Sequence, residues 1–152
     1  MGFFEIYMIE KYNVKPKIPS VFISCTFYDL PVARRISRAL KQKGLEVFLL
    51  RDTVGKKEPL FTRNMGEIKR CAVNGCFLLL ITKHSVESMS VQSQLTKAVQ
   101  ANAKIIPTML GDIKPTEVMF SIFNYKDIRY LRYEPTDEEL EGFASHICEC
   151  IN

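Results

Sequence analysis

Cys76-Phe77-Leu78-Leu79-Leu80-Ile81-Thr82 is the most apolar run of the chain. A strand without polar alternation is one covered on both faces, which points to a parallel sheet between layers of helices. The run is far shorter than the roughly 18 to 20 apolar residues needed to cross a bilayer. It therefore reads as the central strand of a soluble core. Upstream, Leu45 to Leu50 and Val21-Phe22-Ile23-Ser24 read as two more strands. Downstream, Lys104-Ile105-Ile106-Pro107-Thr108-Met109-Leu110 reads as a fourth, and Pro107 places it near a sheet edge because proline lacks an amide donor. Asp127 to Leu131 is expected to be a fifth.

Between these strands the apolar period changes to that of a helix. Asp29 followed by Pro31 opens one, with Val32, Ala33, Ile36, Ala39 and Leu40 on a single stripe before Gly44 stops it. Phe61, Met65, Ile68 and Ala72 form a second stripe ending near Asn74-Gly75, and Val91, Leu95, Ala98 and Val99 a third. Val118 to Phe123 is weaker and reads as a helical turn after Lys114-Pro115. Thr136-Asp137-Glu138-Glu139 opens the last helix with acids at its positive end, and Leu140, Phe143, Ala144, Ile147 and Ile151 share one face. Strands alternating with helices at this spacing predict an α/β fold of flavodoxin-like order: a five-stranded parallel sheet with helices on both faces and right-handed crossovers.

The chain has 152 residues and is 47% apolar, enough for one core. Residues 1–18, ending in a proline-containing basic stretch, read as a lead-in, and residues 19–152 as a single domain. Lys and Arg exceed Asp and Glu by 21 to 17, a formal charge of +4 that is too mild to favour nucleic acid, and no membrane partner is expected. The start, Met1-Gly2-Phe3-Phe4-Glu5, lacks the basic and apolar regions of a secretory signal, so a cytoplasmic protein is expected. The five cysteines, Cys25, Cys71, Cys76, Cys148 and Cys150, are odd in number and read as reduced thiols. Their spacing from each other and from the histidines argues against a metal site.

Ligands of such sheets bind beyond the carboxyl ends of the strands, so the candidate site draws on Ser24 to Asp29, Arg51 to Gly55 and His84 to Gln94. None of these is a nucleotide fingerprint or a hydrolase elbow. His84 is either a general acid or base or an ordinary loop histidine. Ser85, Ser88 and Ser90 either contact phosphate or cap a helix. Arg51-Asp52 either orients a ligand or is solvated, Cys25 lacks a local base, and Gln94 by itself reads as a polar residue bordering an apolar stripe.

Taken together, the pieces resemble a TIR (Toll/interleukin-1 receptor) domain across about residues 19 to 131. They are Val21-Phe22-Ile23-Ser24 with Tyr28-Asp29; Gly44-Leu45-Glu46-Val47 leading to Arg51-Asp52 and Gly55 at the position of the family's BB loop; and Ile68 to Cys71, Phe77 to Thr82, then Ser85, Ser88, Gln94-Leu95 and Ala98, with Ile105-Ile106-Pro107 following. The resemblance implies either an adaptor module or an NAD+ nucleosidase or ADP-ribosyl cyclase-like enzyme of the stand-alone prokaryotic type, similar to antiviral signalling proteins of systems such as Thoeris. It implies NAD+ as substrate, no metal, Gln94 at the catalytic position, and Ser24, Tyr28, Arg51, Asp52, His84, Ser88 and Ser90 about the dinucleotide. It further implies partners: NAD+ or an ADP-ribose derivative, a second copy of the chain through the BB loop at Arg51 to Pro59, and a downstream effector that reads the nucleotide product.

Two positions depart from the family. Its catalytic glutamate is Gln94 here, and its tryptophan near the helix start is Ser90. Glutamine keeps the shape but neither the countercharge nor the basicity of a carboxylate, so turnover is expected to be impaired. Three origins fit: a natural pseudoenzyme that binds NAD+ or another chain, an enzyme using a different residue, or a glutamate exchanged by design for its isostere.

Overall fold

The computed structural model describes residues 2–4, 6–7, 18–49, 60–113 and 128–151, the first four of residues 60–113 as backbone only. Five strands, β1 (Ser20–Ser24), β2 (Glu46–Leu49), β3 (Gly75–Ile81), β4 (Ile105–Leu110) and β5 (Arg129–Leu131), form one parallel sheet in the order β2-β1-β3-β4-β5. This is the flavodoxin-like order, with the apolar run as the middle strand. The helices are α1 (Leu30–Gln42), α2 (Leu60–Val73), α3 (Met89–Gln100) and α4 (Asp137–Ile151).

Strand side chains alternate between faces, and the apolar runs thereby supply two cores. Val21, Ile23, Cys76, Leu78 and Leu80 pack with α1 and α4. Phe22, Phe77, Leu79, Ile81 and Met109 pack with α2 and α3. In the second core Phe22 stands opposite both Phe48 and Phe77 in register and stacks on each ring, with centroids 5.0 and 5.3 Å apart. The three rings fasten β2, β1 and β3 side by side. The start of β3 lies so close to β1 that a Cβ at Gly75, whose φ is +149°, would overlap the Ser20 carbonyl.

As Pro107 suggested, β4 lies near the sheet edge, next to the edge strand β5; β5 pairs only with Thr108 to Leu110, so Pro107 sits just before that pairing begins. Two local expectations need correction. Val99 leaves its stripe and is 42% exposed, since α3 turns it past the sheet. The buried face of α2 carries Glu67, Ile68, Arg70 and Cys71, while Met65 and Ala72 are only half-buried. Arg70 is tolerated there because it pairs with Glu46 at the start of β2. The start of α1 follows expectation, with Asp29 at its N-cap and Pro31 in its first turn, although the Asp29 side chain does not cap it.

The α4 opening follows expectation: Thr136 accepts from the Glu139 amide at 3.1 Å, an N-cap bond, and its hydroxyl donates to the Glu139 carboxylate at 3.2 Å. Within the lead-in, residues 3–4 and 6–7 are helical, and Ile6 seats over Gly66 of α2, where any Cβ would collide with it. Arg51 to Pro59, Lys114-Pro115 and Val118 to Phe123 lie outside the described residues. Among the described residues no helix is long and apolar enough to cross a membrane.

Candidate functional site

β1 ends on Ser24, whose side chain is fully buried, and the second core presses Val91, Leu95 and Ala98 of α3 against the sheet. That packing turns Gln94, next to Leu95, inward. Gln94 is 5% exposed, and its Oε1 accepts a hydrogen bond from Ser24 Oγ at 2.6 Å. Gln94 is therefore a buried polar residue fixed to the end of β1, not a surface residue bordering a stripe. Because the carbonyl end is held by Ser24, the amide nitrogen is the end left to address a ligand.

The serines before α3 divide by role. Ser88 is the N-cap of α3 and accepts from the Val91 amide at 3.2 Å. Ser85 is buried and exchanges hydrogen bonds with Thr82: its Oγ accepts from the Thr82 amide at 2.8 Å and donates to the Thr82 carbonyl at 3.2 Å. Ser90 is exposed on the first turn of α3. Capping thus accounts for the local bonds of Ser88 and turn formation for those of Ser85.

Tyr28 and His84 form a second pair. Their rings stack with centroids 4.8 Å apart and 25° between planes, and Phe27 meets Tyr28 edge-on at 6.2 Å. Tyr28 is 69% exposed. His84 lines a cleft of about 490 Å³ with Thr82, Lys83, Leu110, Gly111, Asp112, Ile113 and Tyr133, and neither Ser24 nor Gln94 belongs to its wall. The structure joins Ser24 to Gln94 and Tyr28 to His84, as two separate pairs. Arg51 and Asp52 lie outside the described residues.

Sequence reasoning missed the junction on which these loops rest. Asp29 is fully buried, and its carboxylate accepts from Thr26 Oγ1 at 2.8 Å, Thr82 Oγ1 at 2.7 Å and Tyr133 OH at 2.7 Å. Thr82 Oγ1 in turn accepts from the amides of His84 and Ser85 at 3.1 and 3.2 Å. One carboxylate so ties together the turn after β1, the turn after β3 and the segment after β5. The bond to Asp29, then burial and the Asp29 charge, push the Tyr133 phenol up to about 12, so it remains a donor at neutral pH. In the sequence Asp29 stood out as a helix opener beside a strand end, and of its hydroxyl partners only Thr26 is local; Thr82 and Tyr133 come from distant segments.

Burial and then the nearby Asp29 charge push the Cys25 thiol up to about 12, which disfavours its nucleophilic thiolate at neutral pH. All five cysteines are free, and among the described residues no group of His, Cys, Asp and Glu is placed to hold a metal ion. A family model described as a TIR domain matches residues 21–147. No curated protein matches the chain.

Proposed function

Because this chain belongs to the TIR domain family, we propose that it is a TIR module built on the NAD+-cleaving plan whose catalytic centre has lost its charge. It holds the nicotinamide-side ribose of NAD+ and releases nicotinamide weakly or not at all. The observation that supports this reading is the buried 2.6 Å bond from Ser24 to Gln94. A glutamate in the same place accepts that bond through one carboxylate oxygen and keeps the other for the ligand, so the position suits the acid as well as the amide.

Breaking the glycosidic bond of NAD+ expels neutral nicotinamide and leaves positive charge on the ribose. A carboxylate about 4 Å away, at an effective dielectric near 20, stabilises that charge by roughly 4 kcal/mol. Such a difference corresponds to about a thousandfold in rate. Gln94 can donate its amide hydrogens to ribose hydroxyls but cannot supply this countercharge. Binding accordingly outlives turnover. The nucleotide signal of an active relative, ADP-ribose or a cyclised form, the antiviral role, the assembly through Arg51 to Pro59 and the cytoplasmic location belong to this same proposal.

A second reading, an interaction module with no nucleotide chemistry, draws on the same neutral Gln94. Incubating the chain and its Gln94→Glu variant with NAD+ and quantifying nicotinamide by chromatography separates the two. Release by Gln94→Glu at least a hundredfold above the parent chain supports the proposal. Equal, null release from both, with a folded variant, overturns it and leaves the interaction module.

A further inference from the structure

A cavity of about 340 Å³ opens between β5 and α4, on the face of the sheet that packs with α1 and α4, whereas Gln94 stands on α3 at the other face. Its volume is at the low end of the range for small-molecule pockets. Leu131 and Phe143, both part of the core, close its floor. Gly142 of α4 keeps it open, since a Cβ there would meet no atom within 4 Å. A glycine inside a helix is about 1 kcal/mol worse than alanine, and here it leaves room for a ligand.

The polar wall of this cavity is short of negative charge. Arg129 lines it, half-buried, and its Nη2 reaches the Cys150 Sγ at 3.7 Å. A thiol is a weak acceptor. The Arg129 Nε is buried with no partner, and so is Nε2 of His146, which lines the same cavity one turn of α4 before Cys150. Among the described residues no carboxylate pairs with Arg129, whereas Arg35 and Arg70, the other arginines not fully exposed there, hold Asp137 and Glu46. Glu139 also lines the cavity, but Thr136 and the Arg132 Nε, at 3.2 and 3.4 Å, engage its carboxylate, and it stands two turns, about 10 Å, before His146 along the helix. Glu149 lies by the Nδ1 edge of His146, at 3.8 Å, and leaves the Nε2 edge unserved. A half-buried guanidinium without a counter-ion is unfavourable, and an anion seated against it removes the deficit.

We propose that this cavity binds a compact monocarboxylic acid, with its carboxylate on the Arg129 guanidinium beside the His146 Nε2 edge and its apolar body over Leu131 and Phe143. The planar guanidinium fork matches a carboxylate, and the apolar floor disfavours a fully hydrated anion such as phosphate. The site does not rest on the Ser24 and Gln94 centre. Benzoate serves as the probe, titrated into the full chain by calorimetry and by amide-resolved NMR, with benzyl alcohol and inorganic phosphate in parallel. Benzoate binds at least tenfold tighter than either, and the amides that shift lie on β5 and α4. Arg129→Met weakens benzoate at least tenfold at a melting temperature no lower than the parent's, because it replaces an unpaired cation by an apolar side chain. Gly142→Leu, which fills the cavity from α4, weakens it as much. A smaller preference for benzoate over either control overturns the proposal, and this comparison on the parent chain needs no variant to fold. So do amide shifts centred away from β5 and α4, or an unchanged affinity in a folded Arg129→Met or Gly142→Leu chain. Nicotinamide release by Gln94→Glu reads the other centre separately, so the two proposals fail independently.

Discussion

The hydroxyl of Tyr133, just beyond the last strand, donates to the carboxylate of Asp29, 104 residues earlier, at 2.7 Å. Ionising the phenol would break its hydrogen bond to Asp29, and that loss, then burial and the facing carboxylate charge, push the group up to about 12 in the folded chain from an ordinary value of 10. Its contribution to stability is complete below pH 10 and is lost as pH climbs from 10 to 12. Tyr133→Phe lacks that contribution at every pH, so the stability gap between parent and variant should narrow across this window in denaturant titrations. Tyr133 is 40% exposed, so solvent screening keeps the gap small. A gap that widens above pH 10 contradicts the assignment.

Asp29→Ala leaves the buried hydroxyl of Thr82 without its acceptor and releases Thr26 and Tyr133 as well. Hydrogen bonds to a charged group are worth about 1.5–3 kcal/mol each, so the variant should lose roughly 3 kcal/mol or more. Thermal unfolding should show the drop, with Thr82→Val losing less than Asp29→Ala. Equal stability of Asp29→Ala and the parent chain would remove Asp29 as the junction of the three segments.

Gly75→Ala puts a methyl group into the Ser20 carbonyl at a backbone conformation that L residues rarely adopt. The obstacle is backbone, not a flexible side chain, so β3 can accommodate it only by parting from β1. A loss of about 3 kcal/mol or more is expected, or failure to accumulate folded protein. Near-parental stability by circular dichroism would show that the approach of the two strands is looser than described.

Phe22→Ala removes the middle ring of the Phe48, Phe22 and Phe77 stack, in a core where Phe22 is 1% exposed. Cavity formation in such places costs about 3–5 kcal/mol. Phe22→Leu should recover a substantial part of that by refilling volume, and urea unfolding of the pair measures the difference. Indistinguishable midpoints for Phe22→Ala and Phe22→Leu would mean the core closes over the gap.

Thiol chemistry should follow burial. Cys76 is pushed up to about 12, chiefly by desolvation, and Cys71 is pushed up further by the same cause. Both are fully buried, whereas Cys148 and Cys150 are half-exposed on α4. Iodoacetamide at pH 8 followed by peptide mass spectrometry should find Cys148 and Cys150 alkylated well before Cys71, Cys76 and the high-pKa Cys25. Early labelling of Cys25 would reopen it as a reactive group.

Sequence by itself determined the fold class, because apolar periodicity is a local property: the uncharged run at Cys76 to Ile81 demanded two covered faces, and the stripes of Ala33 and Ile36 or Phe143 and Ile147 demanded a sheet to lie on. It also marked Ser24 and His84 as belonging to strand ends and their loops, and Gln94 as a polar residue on the helix that follows. Tertiary structure alone decided which of them meet. Ser24 reaches Gln94 across 70 residues and Asp29 reaches Thr82 across 53, and both contacts depend on β1 lying against β3 in one register. Periodicity states which face of an element is buried but carries no record of which strand is its neighbour or how far the two are slid. The inward turn of Gln94, the Asp29 junction and the parting of the two aromatic and polar pairs therefore exist only once the sheet order is set.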